Sequence, residues 1–595
     1  MKTRRTRLAL LVLLISTSLP LASTDDQDPG QRLHNLFDRE WQTRLEESPQ
    51  LATSVGVHDS NDRLASYSPQ SLARRDKLWR GYLAELDEIE PDGLSSEDRI
   101  NAAIFRAQLE DRVAGYRFGA YQVPFNADSS FWASFARMPF NTPLENTQDY
   151  SNYLRRLAAW PRVVDEQIRL MRLGLERGMS QPRVILEGIE GSAAAHVVGR
   201  AADSAFFAPF RKFPVGVPEA DRSRITEAGR RAIEISIVPA YQKLTTFLTK
   251  EYIPGARETL GAIALPDGKA YYAQRIRHFT TLDLTAKEIH QIGLDEVARI
   301  RGEMQAVIEE VGFEGSFAEF LTFLRTDPRF YPKTGDELLR EASYIAKRMD
   351  GKLPALFKTL PRQPYTVEAV PDSIAPKYTA GRYVSGRAGG TQPGRYWVNT
   401  YGLDTRPLYN LEALSLHEAV PGHHLQGALN AELEDLPSFR RYSYLSAFGE
   451  GWGLYSEWLG IEAGFYTDPY SNFGRLTYEM WRACRLVVDT GVHAFGWTRQ
   501  QVVDYLSTHT ALSLHEIGTE TDRYISWPAQ ALSYKIGELK IKELRQRAET
   551  ALGDRFDVRE FHDAVLLSGS IPLRVLEQKI DRFIEQQKKL SDSAE

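Results

Sequence analysis

The sequence predicts a mainly α-helical protein, large enough for two or more lobes, with one small β insert ahead of a histidine-rich helix. Three observations carry that expectation. The chain has 595 residues, past the size at which one hydrophobic core usually stops growing. Apolar residues recur at helical spacing through most of it. That period is lost between about Pro361 and Tyr401.

The elements follow in order. Met1 to Arg7 carries Lys2, Arg4, Arg5 and Arg7 and no acid; Leu8 to Ile15 is almost wholly apolar; small residues follow around Ala22 and Ser23. That order is the one of a secretory signal, so residues 1–24 are read as a signal peptide and the remainder as exported, periplasmic or extracellular. The apolar run is shorter than the roughly 20 residues that cross a bilayer, and no stable membrane insertion is expected once the signal is removed. Cys484 is the one cysteine. It excludes an intrachain disulfide and cysteine-rich zinc sites, and none stands near the apolar run to support a lipid-modified N-terminus. The formal net charge of −6, without a basic stripe, argues against nucleic acid as a partner.

Residues 25–355 read as a helical region. Thr285-Ala286-Lys287-Glu288 has a capping-box signature, and Ile289, Val297, Ile300, Met304 and Ile308 follow at helical spacing. Arg222 to Glu251 is a second long amphipathic segment, with an interruption expected near Pro239. Residues 356–595 form the site-bearing region. Its β insert, 361–401, offers strands at Tyr365 to Val370, Tyr378 to Val384 and Arg395 to Thr400, the last after a loop rich in glycine. Helices resume at Leu411: those expected to carry a metal site span 411–460, and others run to 595.

The chemistry concentrates in His417-Glu418-Ala419-Val420-Pro421-Gly422-His423-His424-Leu425-Gln426. Zinc hydrolysis needs three protein ligands, an open position and a carboxylate that takes a proton from water. In the common His-Glu-x-x-His helix the two histidines lie one turn apart. Here the second histidine comes six or seven residues after His417. On a straight helix six residues rotate about 600° and rise about 9 Å, too far for both rings to reach one ion at ~2.1 Å. A distortion is required, and Pro421 and Gly422 stand where it is needed. His423 is preferred to His424 because Gly422-His423 matches the Gly-His ending of such helices; His424 then takes a supporting role. Glu418 is the general base. A third ligand is expected from Phe448-Gly449-Glu450-Gly451-Trp452-Gly453-Leu454-Tyr455-Ser456-Glu457, with Glu450 preferred and Glu457 left to solvent or to support the ligands. Asp489 is a candidate for orienting a ligand imidazole. His515-Glu516 has the same pair, but no histidine follows, and it is set aside.

These motifs, with Arg485-Leu486-Val487-Val488-Asp489-Thr490-Gly491-Val492-His493 and the run from Arg523 to Gly537, resemble a bacterial family of exported proteins classed as a domain of unknown function. That family is similar to the Glu-zincin metallopeptidases, such as angiotensin-converting enzyme, the oligopeptidases and the thermostable carboxypeptidases. The likeness implies a two-lobed, zincin-like fold with a deep cleft. It implies His417, His423 and Glu450 as ligands of Zn²⁺ (Zn2+) and Glu418 as base. It also implies that the strand Arg395 to Thr400 borders the cleft and can pair with an extended peptide. This sequence departs from those enzymes in its longer His-to-His spacing.

Such an enzyme needs a donor for the tetrahedral oxyanion; Tyr534, His493 and Tyr524 are the candidates. Arg482, Arg485, Arg523 and Lys535 are candidates for holding a substrate carboxylate, Arg485 and Tyr524 being the substrate-binding pair singled out. The expected function is a zinc-dependent metallopeptidase of carboxypeptidase or oligopeptidase type acting on short peptides. A zinc hydrolase of non-peptide amides or esters, and a non-catalytic binding protein with a vestigial site, are the alternatives.

Overall fold

The computed structural model describes residues 28–372, 374–386 and 392–592. The expected signal peptide and the glycine-rich loop at 387–391 lie outside the described residues. About 70% of the chain is helical, as the apolar period requires.

Four helices of the N-terminal half matter for the site. Helix α1 (Pro29–Glu47) starts on Asp28, whose carboxylate accepts from the Gln31 N–H, with Pro29 at the first helical position. Helix α2 (Ser96–Phe118) is capped by Ser95 and stops at Gly119, whose φ of 71° few other residues adopt. Helix α3 (Gly268–Thr280) follows. Helix α4 (Ala286–Glu310) begins on the Thr285–Glu288 capping box and buries Ile289, Val297, Ile300, Met304 and Ile308. The interruption expected near Pro239 is present. The helix does not break there; it widens into a π turn at Ile233–Ile237 and resumes at Val238. Pro239 thus falls at the second position of the resumed helix, where its missing N–H costs little.

The three expected strands form: β1 (Tyr365–Ala369), β2 (Gly381–Val384) and β3 (Gly394–Val398). Their order is β1-β3-β2. Strand β3 runs parallel to β1 and antiparallel to β2, with Tyr396 opposite both Val367 and Tyr383. The expectation that a peptide pairs with Arg395 to Thr400 is therefore corrected. Both edges of β3 are occupied, and β2 offers the outer edge instead.

Six further helices build the centre: α5 (Leu411–Glu418), α6 (His423–Glu432), α7 (Ser446–Leu459), α8 (Pro469–Phe495), α9 (Leu514–Ser526) and α10 (Ser533–Leu552). Helix α8 is buried on every side from Phe473 to His493. Helix α4 lies along it, and α7 lies along α10. The α4–α8 packing crosses residue 355, so the two sequence regions share one core. Burial of α8 extends to charged groups, which are therefore paired. Lys535, fully buried, meets Glu296, Glu479 and Glu538 at 2.7–2.9 Å. This candidate for substrate binding is thus committed to the core. Among the described residues no helix is long and apolar enough to cross a membrane.

Candidate metal centre

The distortion expected between the histidines is a complete break. Helix α5 ends at Glu418, α6 begins at His423, and the Val420–Pro421 peptide between them is cis. The turn is tight: a Cβ on Gly422 would stand 1.9 Å from the His417 carbonyl oxygen, so only glycine fits. The Trp452 indole N–H, from α7, donates to the Pro421 carbonyl at 2.8 Å and fixes the turn against the next helix.

Re-aimed in this way, the two rings meet edge to face, with centroids 4.7 Å apart. The Glu450 Oε2 lies 3.6 Å from His417 Nε2 and 3.4 Å from His423 Nε2. One donor atom from each residue falls within 4.8 Å of the others. Two ligands at ~2.0–2.1 Å from a tetrahedral zinc stand about 3.4 Å apart, so the spacing fits such an ion. The orientation fits as well. His417 Nδ1–H donates to Glu457 Oε1 at 2.7 Å, which turns Nε2 toward the other donors. The Tyr444 hydroxyl donates to Glu450 Oε1 at 3.2 Å and leaves Oε2 for the centre. Gly453 completes the fit, because a Cβ there would meet the His417 ring at 2.5 Å.

Electrostatics points the same way. Burial alone would lower His417, but its hydrogen bonds to Glu450 and Glu457 outweigh burial and lift the imidazole to about 10. Burial would raise Glu450, yet His417 and His423 hold it well below the usual carboxylate range. The pocket thus stabilises positive charge where the two imidazoles converge.

His424 is turned away from this point. Its Nε2–H donates to the Gln363 carbonyl at 3.1 Å, and its Nδ1 accepts from the Tyr383 hydroxyl at 3.2 Å. Burial depresses it to about 4, so it stays neutral and ties α6 to β2. Glu418, beside His417, accepts the Tyr383 backbone N–H at 2.7 Å from the outer edge of β2. It shares with the three donors a cavity of about 610 Å³.

The other site candidates divide. Tyr534, Arg482, Arg485 and Arg523 line that cavity. Arg523 Nη2–H donates to the Tyr534 hydroxyl at 3.2 Å, and the Arg485 guanidinium lies 4.3 Å from the Tyr534 ring centre. Arg482 reaches Glu457 at 3.5 Å, one carboxylate away from His417. Tyr524 stands behind this wall: its buried hydroxyl accepts from Trp481 Nε1 and Arg485 Nε, each at 2.8 Å. It braces Arg485 and is not itself placed to touch substrate. His493 is also corrected. Its Nδ1 accepts the Ala262 N–H at 3.0 Å and its Nε2–H donates to the Tyr524 carbonyl at 2.9 Å, so no proton remains for an oxyanion. Asp489 orients no imidazole. It accepts from the Tyr272 hydroxyl at 2.6 Å and from the Ala529 N–H at 3.1 Å, and burial pushes its carboxyl up to about 7. Glu457 performs the role expected of it.

Residues 49–580 match the family model described as "Bacterial protein of unknown function (DUF885)". The chain belongs to this family. Among solved structures, one of similar fold is described as "the putative lipoprotein from Colwellia psychrerythraea"; it is 29% identical, with a TM-score of 0.88 over 94% of this chain and all of that one. A second, described as "a putative lipoprotein of unknown function from Shewanella oneidensis", shares the fold at 18% identity, with a TM-score of 0.71 over 92% of this chain and 98% of that one. Comparison with curated proteins finds no match. In this family member the sole cysteine, Cys484, is buried within α8.

Three groups in the cavity escaped sequence reasoning. Tyr444 and the Tyr383 N–H carry no sequence signal, the first being one of 27 tyrosines and the second a backbone group. Glu516 lines the cavity although its His-Glu pair is not a metal motif. Burial and the neighbouring Glu520 push it up to about 7.

Proposed function

We propose that this chain is an exported zinc-dependent hydrolase, acting on amide bonds of short peptides in a zincin-like cleft. The observation that carries the reading is the convergence of His417, His423 and Glu450, with Glu450 Oε2 3.6 and 3.4 Å from the two Nε2 atoms and one donor from each residue within 4.8 Å of the others, and with Glu418 in the same cavity. Zinc held there supplies Lewis acidity and makes water a nucleophile at neutral pH. The protein supplies the rest. Glu418, held by the Tyr383 N–H, accepts a proton from the attacking water and passes it to the leaving amine. The Tyr534 hydroxyl accepts from Arg523, which leaves its own proton for the oxyanion. Arg482, Arg485 and Arg523 on one wall, the last two sharing Glu520 between them, offer the guanidinium groups that a peptide's terminal carboxylate needs. The outer edge of β2 offers backbone groups to an extended substrate. Export is supported by the N-terminal signal pattern and by the descriptions of the two structural neighbours.

The test combines metal analysis with digestion of a peptide library, with chelator and then with zinc restored. About one zinc per chain is expected. Peptides should lose residues from the carboxyl end, and the loss should stop on chelation. Turnover of amides or esters with peptides untouched would replace the substrate class. Zinc without any turnover would favour a binding protein.

A further inference from the structure

A second cavity, of about 480 Å³, lies against the first. The two share His278 and the stretch Ser443–Leu445 as a common wall. Its other walls come mostly from α1, α2 and α3, elements that place no metal ligand. Trp41 and Tyr442 stack there, with centroids 5.6 Å apart and planes 12° from parallel. Leu51, Ile104, Ala107 and Pro572 add aliphatic surface. Several charged groups on the lining are already satisfied: Asp111 by His278 and Gln274, Arg277 by Asp283, Arg44 by Glu40. Trp41 is itself buried beneath Tyr442, and the aromatic surface left open is that of two tyrosines. Tyr442 is 42% exposed and Tyr444 is 59% exposed. Tyr444 belongs to both cavities, and its hydroxyl touches the Glu450 carboxylate.

Open tyrosine faces beside aliphatic surface in a concave space are the mark of a site for an apolar group. Continuity with the metal cavity names the source of that group. We propose that the second chamber is a substrate subsite. It takes a bulky aromatic or aliphatic group of the same molecule whose scissile bond lies at the metal centre, and Tyr444 divides the two subsites. This rests on the hydrolase reading for the identity of the ligand as substrate, though not for the existence of the chamber.

The experiment is a fluorescence titration of the full chain with N-phenyl-1-naphthylamine, followed by displacement with a short peptide carrying an N-terminal naphthoyl cap. Ala107→Trp fills the chamber from α2, and Tyr442→Ala removes an aromatic wall without adding bulk. Each is expected to weaken probe binding at least about tenfold, the range that loss of one apolar contact surface gives. The capped peptide should displace the probe, and the uncapped peptide should not. Probe binding unchanged in both variants, or equal displacement by capped and uncapped peptides, would overturn the proposal. Binding is expected to survive chelation. A protein that holds no zinc but loses the probe in both variants would therefore retain the chamber and lose the hydrolase reading, so the two fail separately.

Discussion

Glu418→Gln is expected to keep zinc and lower turnover by about 10²–10⁴-fold, the usual contribution of a general base. The side chain keeps its size, and its amide oxygen can still accept the Tyr383 N–H that now holds Glu418 at 2.7 Å. The loss is confined to the proton the carboxylate takes from water. Glu450→Gln is the contrasting variant. Glu450 Oε2 is the atom that faces both imidazoles, and a neutral amide there should weaken zinc retention along with rate. Metal content and steady-state rates of the two variants separate the roles. Zinc lost from Glu418→Gln and kept by Glu450→Gln would exchange them.

His417→Ala and His423→Ala are expected to lose zinc altogether, whereas His424→Ala keeps it. Each of the first two removes one of the three proposed ligands. His424 is 2% exposed and spends both nitrogens on Gln363 and Tyr383. Its removal leaves two half-buried partners unmet, at a cost of about 0.5–1.5 kcal/mol each, and shows as a lower Tm with zinc still bound. Glu457→Gln belongs between these extremes. It weakens the hydrogen bond to His417 Nδ1, and such outer partners contribute on the order of 10–100-fold in metal affinity. Zinc titration against a competing chelator ranks the four. Metal lost from His424→Ala and retained by His423→Ala would place the second ligand one residue later.

Much of this site was legible because the chemistry and the helix disagree in the sequence. A six-residue step from His417 to His423 cannot serve one ion on a straight helix, and Pro421-Gly422 stands in the gap; the break follows from that conflict. The β insert was legible from the loss of the helical period between Pro361 and Tyr401. The strand order was not, because alternation fixes which residues share a face and not which strand lies in the middle. Asp489 and His493 were misread for one reason. Their partners are the Tyr272 hydroxyl, the Ala529 and Ala262 N–H groups and the Tyr524 carbonyl, groups far away in sequence or on the backbone. Glu457 was legible in part, since seven residues, two helical turns, return it to the face of Glu450. Tyr444 reaches Glu450 from the segment before α7, a contact set by packing alone.

The central claim is that His417, His423 and Glu450 hold one zinc ion. Anomalous difference density, recorded on either side of the zinc absorption edge from crystals of the full chain, tests it most directly. A single strong peak is expected about 2.0–2.2 Å from His417 Nε2, His423 Nε2 and Glu450 Oε2, present above the edge and absent below it. Zinc-supplemented crystals with no peak at that point, or with the peak bound to other side chains, would contradict it.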